Sequence, residues 1–244
     1  MTIKLDPPAQ AALLFGGVVL IGCLVVWPTL SPSLPIALSP ALAAALLGWA
    51  WARSPHWVWP WPAREVALMV GWALVGTAMA YAWDRVRPDG LSSLDVRALL
   101  DGTYLMPALL PAVWVGYPGT ILAGLAIASL RLTMLPGGEP WLAEVVKLPL
   151  VACLAEGWLL YRGARWDWRN FALLGVLLGL GHLLAAWLFA PAAYAQGEWL
   201  NALAGSAIFG AVAGVLCVVL RDRLWPFLPD WLRPQIETVQ DEWA

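Results

Sequence analysis

Charge is scarce in this chain: 12% of its 244 residues are Asp, Glu, Lys or Arg, where a soluble domain carries about a quarter. The sixteen acidic and fourteen basic residues leave a net charge of −2. No basic cluster stands out, so nucleic acid is not an expected partner. Cys23, Cys153 and Cys217 lie inside apolar runs, and with His56 and His182 they form no group at metal-ligand spacing. No metal site and no cofactor are therefore expected. No Ser-His-Asp set, HExxH helix or phosphate-cradling glycine loop is visible either, so no enzyme is expected. The first apolar run has Lys4 before it and no clear small-residue cleavage site after it. It reads as a retained helix rather than a removed signal peptide.

What fills the space is apolar. The chain is 61% hydrophobic with a mean hydropathy of +0.72, and several runs reach the roughly 20 residues that cross a bilayer. This predicts an all-α, polytopic transmembrane bundle of about eight apolar segments, at 9–30, 36–53, 65–83, 99–114, 119–135, 143–161, 170–190 and 199–220. The Pro- and Trp-rich linker 54–64 is too broken for a helix interior. Most of the eighteen Trp residues read as an interfacial belt. The segments 99–114 and 119–135 form a broken hairpin around Gly116-Tyr117-Pro118-Gly119, with Pro107 and Pro111 in its first limb. Residues 1–223 form one membrane domain, and 224–244 are a short polar tail.

Orientation follows from the basic residues, which favour the cytoplasmic side. With the N-terminus inside, nine face inward (Lys4, Arg53, Arg64, Arg162, Arg165, Arg169, Arg221, Arg223, Arg233) and five face outward (Arg85, Arg87, Arg97, Arg131, Lys147). All five outer ones lie in or beside the stretch 84–147. An arginine near lipid is costly and faces protein or a wet cavity, so an electropositive pocket opening outward would account for them. Glu156 sits mid-helix among Leu, Ala and Trp and needs a partner or a proton there. Either a functional role or an ion pair with Arg131 meets that need.

The central residues resemble the LytS-type multi-pass receptor domain, the sensor half of certain bacterial histidine kinases. Asp95-Val96-Arg97 stands for the family's Asn-x-Arg tripeptide, and Gly116-Tyr117-Pro118-Gly119 for its Gly/Pro turn. Arg131 with Gly137-Gly138 matches its Arg before a Gly-Gly pair, and Glu156-Gly157 matches its Glu-Gly. The resemblance covers about 65–223. Asp95 stands where the family carries Asn, and Leu130 where it carries His before the arginine.

The resemblance implies a sensor in the bacterial inner membrane that binds a small anionic, carboxylate-like ligand from outside. The implied ligand-binding residues are Asp95, Arg97, Gly116, Pro118, Arg131, Gly137, Gly138 and Glu156. No kinase or other output domain follows Arg223 in this sequence, so the relay is expected to pass to a partner signalling protein. Membrane lipid and a second copy of the chain are further candidate partners. The alternative is a small-solute transporter or the substrate-binding subunit of an uptake system. Transporters often show paired broken helices, and one broken hairpin in this sequence favours the receptor.

The orientation is directly checkable. With the three native cysteines replaced, a cysteine at Gly90 should react with an impermeant thiol reagent added from outside. Labelling only from the inside would reverse the assignment.

Overall fold

In lipid a backbone can satisfy its N–H and C=O groups within one segment only by forming a helix. The computed structural model describes residues 6–30, 33–54, 61–86, 94–130, 141–162, 167–189 and 199–227. Among them there are helices and no strand. The helices are α1 (Pro7–Leu30), α2 (Leu34–Arg53), α3 (Ala63–Val86), α4 (Leu94–Val115), α5 (Thr120–Ser129), α6 (Trp141–Arg162), α7 (Trp168–Phe189) and α8 (Trp199–Leu224). A 3-10 turn, Trp225–Phe227, follows α8. Five of these (α1, α2, α3, α7 and α8) carry stretches long and apolar enough to cross a membrane. The chain is a multi-pass helical membrane protein. Helix α6 is equally long at 22 residues but carries Glu144, Lys147 and Glu156 among its apolar side chains.

Several starts are written in the sequence. Proline lacks the N–H that a first helical turn leaves unbonded anyway, and α1 opens on Pro7 while α2 has Pro35 in its first turn. The side chain of Asp6 accepts the Ala9 N–H at 3.2 Å, and Asp167 accepts the Asn170 N–H at 2.7 Å at the start of α7. Both are N-cap bonds. The polar loop expected over 84–98 gives way to helix at both of its ends, since α3 runs on to Val86 and α4 begins at Leu94. Its helix breakers, Pro88 and Gly90, fall between those two ends, and nothing in 84–86 or 94–98 stops a helix.

Helix α4 is the centre of the bundle. Every residue from Leu105 to Gly116 is buried, and α4 packs against α3, α5, α7 and α8. A helix apolar all round belongs in such a place. Pro107 and Pro111 lie inside it without ending it. Pro111 has no N–H to give the Pro107 carbonyl four residues earlier. That oxygen instead faces the backbone of Gly124 on α5, so close that an added Cβ would stand 2.5 Å from it. Gly76 of α3 also closes on Pro107, where an added Cβ would stand 2.7 Å from the Pro107 Cα. Small residues let helix backbones approach where lipid supplies no hydrophobic drive for association. Helices α7 and α8 use the same device, with Gly175 against Gly210 and Gly214 against Phe171. Helices α1 and α2 pack on each other and on α6 through Cys23, Ala37, Ala41, Ala143 and Val146.

The packing around Pro107 predicts opposite responses at two glycines. Gly124→Ala should lower stability by about 1–3 kcal/mol, the usual cost of overpacking, because its Cβ meets backbone that cannot give way. Gly157→Ala has nothing within 4 Å of its Cβ and should be neutral or stabilising, by up to about 1 kcal/mol of helix propensity. Thermal unfolding of the purified variants in detergent checks both.

Candidate functional site

The turn between α4 and α5 depends on two left-handed residues. Gly116 (φ 71°) ends α4, its N–H bonding the Ala112 carbonyl at 3.0 Å, and Gly119 (φ 96°) starts α5. Only glycine adopts these angles without strain. Between them the Tyr117 carbonyl accepts both the Thr120 N–H at 3.2 Å and the Thr120 hydroxyl at 2.7 Å. The turn therefore has a particular defect. The N-cap position of α5 must be glycine, and glycine has no side chain to cap with.

Glu156 makes good that defect from another helix. Its carboxylate, wholly buried on α6, accepts the Gly119 N–H on Oε2 at 2.6 Å and the Leu122 N–H on Oε1 at 3.0 Å. The Ile121 N–H and the Trp51 indole lie against the same group. A carboxylate at a helix N-terminus gains from the exposed N–H groups and from the helix dipole together. Each hydrogen bond to a charged group contributes about 1.5–3 kcal/mol, which offsets the cost of taking the carboxylate out of water.

Aromatic and polar contacts gather at this same end of the bundle, where α2, α4, α6 and α8 finish and α3, α5 and α7 begin. Trp72, Trp114 and Trp225 stack in series, with ring centroids 4.7 and 5.8 Å apart, and Arg221 lies 5.7 Å over the last ring. Trp158 donates its indole N–H to Asn170 at 2.6 Å, tying α6 to the start of α7. The interfacial belt expected of tryptophan does not account for Trp114, which is fully buried, or for Trp51. At the start of α3, Glu65 is buried, and one of its oxygens has no hydrogen-bond partner among the described residues. Two guanidinium nitrogens of Arg64 and the Trp114 indole nitrogen are in the same position. Buried polar atoms left this way cost about 1–3 kcal/mol each.

Of the residues singled out by sequence, Gly116, Pro118 and Glu156 meet at this end. Asp95 and Arg97 belong to the first turns of α4, at its opposite end. Arg97 and Gly116 are about 28 Å apart along the helix at 1.5 Å per residue. Arg131, Gly137 and Gly138 lie outside the described residues, and so does the expected ion pair of Glu156 with Arg131. Sequence reasoning did not find Arg64, Glu65, Asn170 or the Trp72–Trp114–Trp225 stack. The adjacent charges Arg64-Glu65 just inside an apolar run were the available signal. Among the described residues no three His, Cys, Asp or Glu side chains are grouped to hold a metal ion.

No family model matches the chain, and neither a curated protein nor a solved structure does.

The capping geometry makes Glu156 a sensitive position. Glu156→Gln replaces one acceptor by an NH2 group facing a backbone N–H, and should cost about 2–3 kcal/mol of stability, the scale of one charged hydrogen bond. Glu156→Asp, one methylene shorter, should lose at least one of the two bonds. Chemical unfolding in detergent measures both, and a wild-type midpoint for Glu156→Gln would mean the cap is energetically idle.

Proposed function

We propose that this chain is the membrane receptor module of a bacterial signalling system, binding a small carboxylate from outside and passing its state to a separate partner protein. One observation carries the reading. Two motifs that the LytS resemblance picks out far apart in sequence, the Gly/Pro turn and the Glu-Gly of the next helix, are hydrogen-bonded through Gly119 and Glu156. In this reading α4 and α5 are the broken hairpin among about eight apolar segments of an inner-membrane protein whose termini are both cytoplasmic. The ligand site of this reading is the outer end of the hairpin, with Arg97 and Arg131 as its anion-binding residues, because a guanidinium fork matches a carboxylate by two parallel hydrogen bonds. The Glu156 cap is a latch at the inner end. A ligand charge at the outer end offsets the cost of holding two arginines there. Any shift of α4 or α5 that follows must strain or release the two bonds at the latch, since both ends belong to the same rigid pair of helices. A small oxo acid suits such a pocket better than a sugar or a peptide.

The test is thermal stabilisation of the purified protein by a panel of small carboxylates, repeated with Arg97→Lys and Arg131→Lys. Lysine keeps the charge and loses the fork, so binding should weaken by about 1–3 kcal/mol in each. A wild-type response retained in full by both variants would place the site elsewhere. No response from the wild type to any carboxylate would remove the receptor reading.

A further inference from the structure

Between α2 and α6 runs an apolar groove of about 400 Å³, lined by Leu42 and Leu46 on one side and Gly157 and Leu160 on the other. Its two polar side chains are satisfied within their own helices. The Ser39 hydroxyl donates to the Ile36 carbonyl at 2.8 Å, and the Cys153 thiol donates to the Leu150 carbonyl at 3.1 Å. The groove wall is almost entirely hydrocarbon. Gly157 keeps it open, since a Cβ there would meet nothing within 4 Å.

The two helices run parallel. Ala37 and Ala41 pack with Ala143 and Val146 near their starts, and Trp51 lies beside Glu156 near their ends. Arg53 and Arg162, the last residues of α2 and α6, thus stand at one and the same end of the groove. Both are exposed. Each guanidinium lies over a tryptophan of its own helix, Arg53 at 4.3 Å from Trp49 and Arg162 at 5.5 Å from Trp158. Stacking on an indole face fixes a guanidinium while leaving its N–H edge free to donate.

A hydrocarbon channel ending at two held cations is complementary to one kind of molecule. We infer that this groove binds an anionic glycerophospholipid of the surrounding bilayer, with an acyl chain along Leu42, Leu46, Gly157 and Leu160 and the phosphate on Arg53 and Arg162. A zwitterionic lipid fits the channel equally well but brings its own cation to the two arginines, so the head-group end selects for net negative charge. This inference goes beyond the receptor reading and does not rest on it.

The experiment is native mass spectrometry of the full chain released from detergent, titrated with phosphatidylglycerol and with phosphatidylcholine of the same acyl chains. Wild type should retain one phosphatidylglycerol at about tenfold lower concentration than phosphatidylcholine, a difference of the size of one charged hydrogen bond. Gly157→Leu fills the groove without a backbone clash and should lose both lipids. Leu42→Trp fills it from the other helix and should do the same. Arg53→Gln combined with Arg162→Gln disturbs no core side chain and should bring the two lipids to equal retention. Wild-type retention in a folded groove-filling variant would overturn the site. An undiminished preference for phosphatidylglycerol in the double arginine variant would overturn the head-group assignment. That second measurement decides the matter even if the filling variants do not fold.

Discussion

Two hydrogen bonds from the backbone of α5 to the Glu156 carboxylate hold this architecture together. A helix that begins inside a membrane bundle has N–H groups with nowhere to go, and each one unsatisfied in hydrocarbon costs several kcal/mol. Long helices avoid the problem by starting at the interface, where water and capping side chains are at hand. Helix α5 begins at a turn whose residues Gly116, Pro118, Gly119 and Thr120 are all buried. Its geometry demands glycine at the cap. The solution is a carboxylate delivered from α6, 37 residues further along the chain. Remove it and the turn has no reason to stay where it is. Keep it, and α6 is fixed to α5 at a defined height, which in turn sets where Trp158 reaches Asn170 and α7 begins.

The centre of the bundle obeys a related rule. Without a hydrophobic force to drive helix on helix in lipid, close backbone contact must supply the attraction through dispersion and weak polar contacts. Proline in α4 serves this purpose. Each proline leaves a carbonyl four residues earlier without its helical donor, and for Pro111 that carbonyl belongs to Pro107. Gly124 brings its Cα against that same oxygen, in the position for a Cα–H···O contact. With Gly76 of α3 also closing on Pro107, α4 is gripped by two neighbouring helices at a proline inside it. The defect in one helix and the missing side chains of its two neighbours are parts of one joint.

How far these features were legible in the sequence depends on what each involves. Apolar runs announced the helices, and the two turn glycines announced the turn, because length and φ are properties of local sequence. The helix ends were less legible: polar residues such as Asp84 and Asp95 look like loop, yet nothing in them stops a helix, and α3 and α4 run through them. Glu156 stood out as a carboxylate in need of a partner. Its bonding to Gly119 and Leu122 was not readable, since every residue carries an N–H and the sequence does not say which ones a fold leaves over. An arginine is a conspicuous partner, whereas a helix N-terminus is invisible until the helix has been placed. Trp114 was hidden for a similar reason. An indole at a membrane boundary and an indole stacked in the core look alike until Trp72 and Trp225 are found on either side of it.

The described residues grouped by the resemblance divide, in space, between the two ends of α4. Asp95 and Arg97 are in its first turns, while Gly116 and Pro118 follow its last. A single site holding all of them would need α4 to be far shorter than its 22 residues. In the receptor proposal, a helix buried along its second half turns that separation into a mechanical link. Force applied to its first turns cannot be absorbed where Leu105 to Gly116 are gripped on all sides. It must therefore appear as movement of the helix as a body or as strain at the turn beyond it. The attachment at that turn that changes most sharply is the polar one, because apolar contacts yield gradually while two hydrogen bonds to a buried carboxylate are either made or lost. Under the receptor proposal, this division gives α4 one end that receives and one that responds.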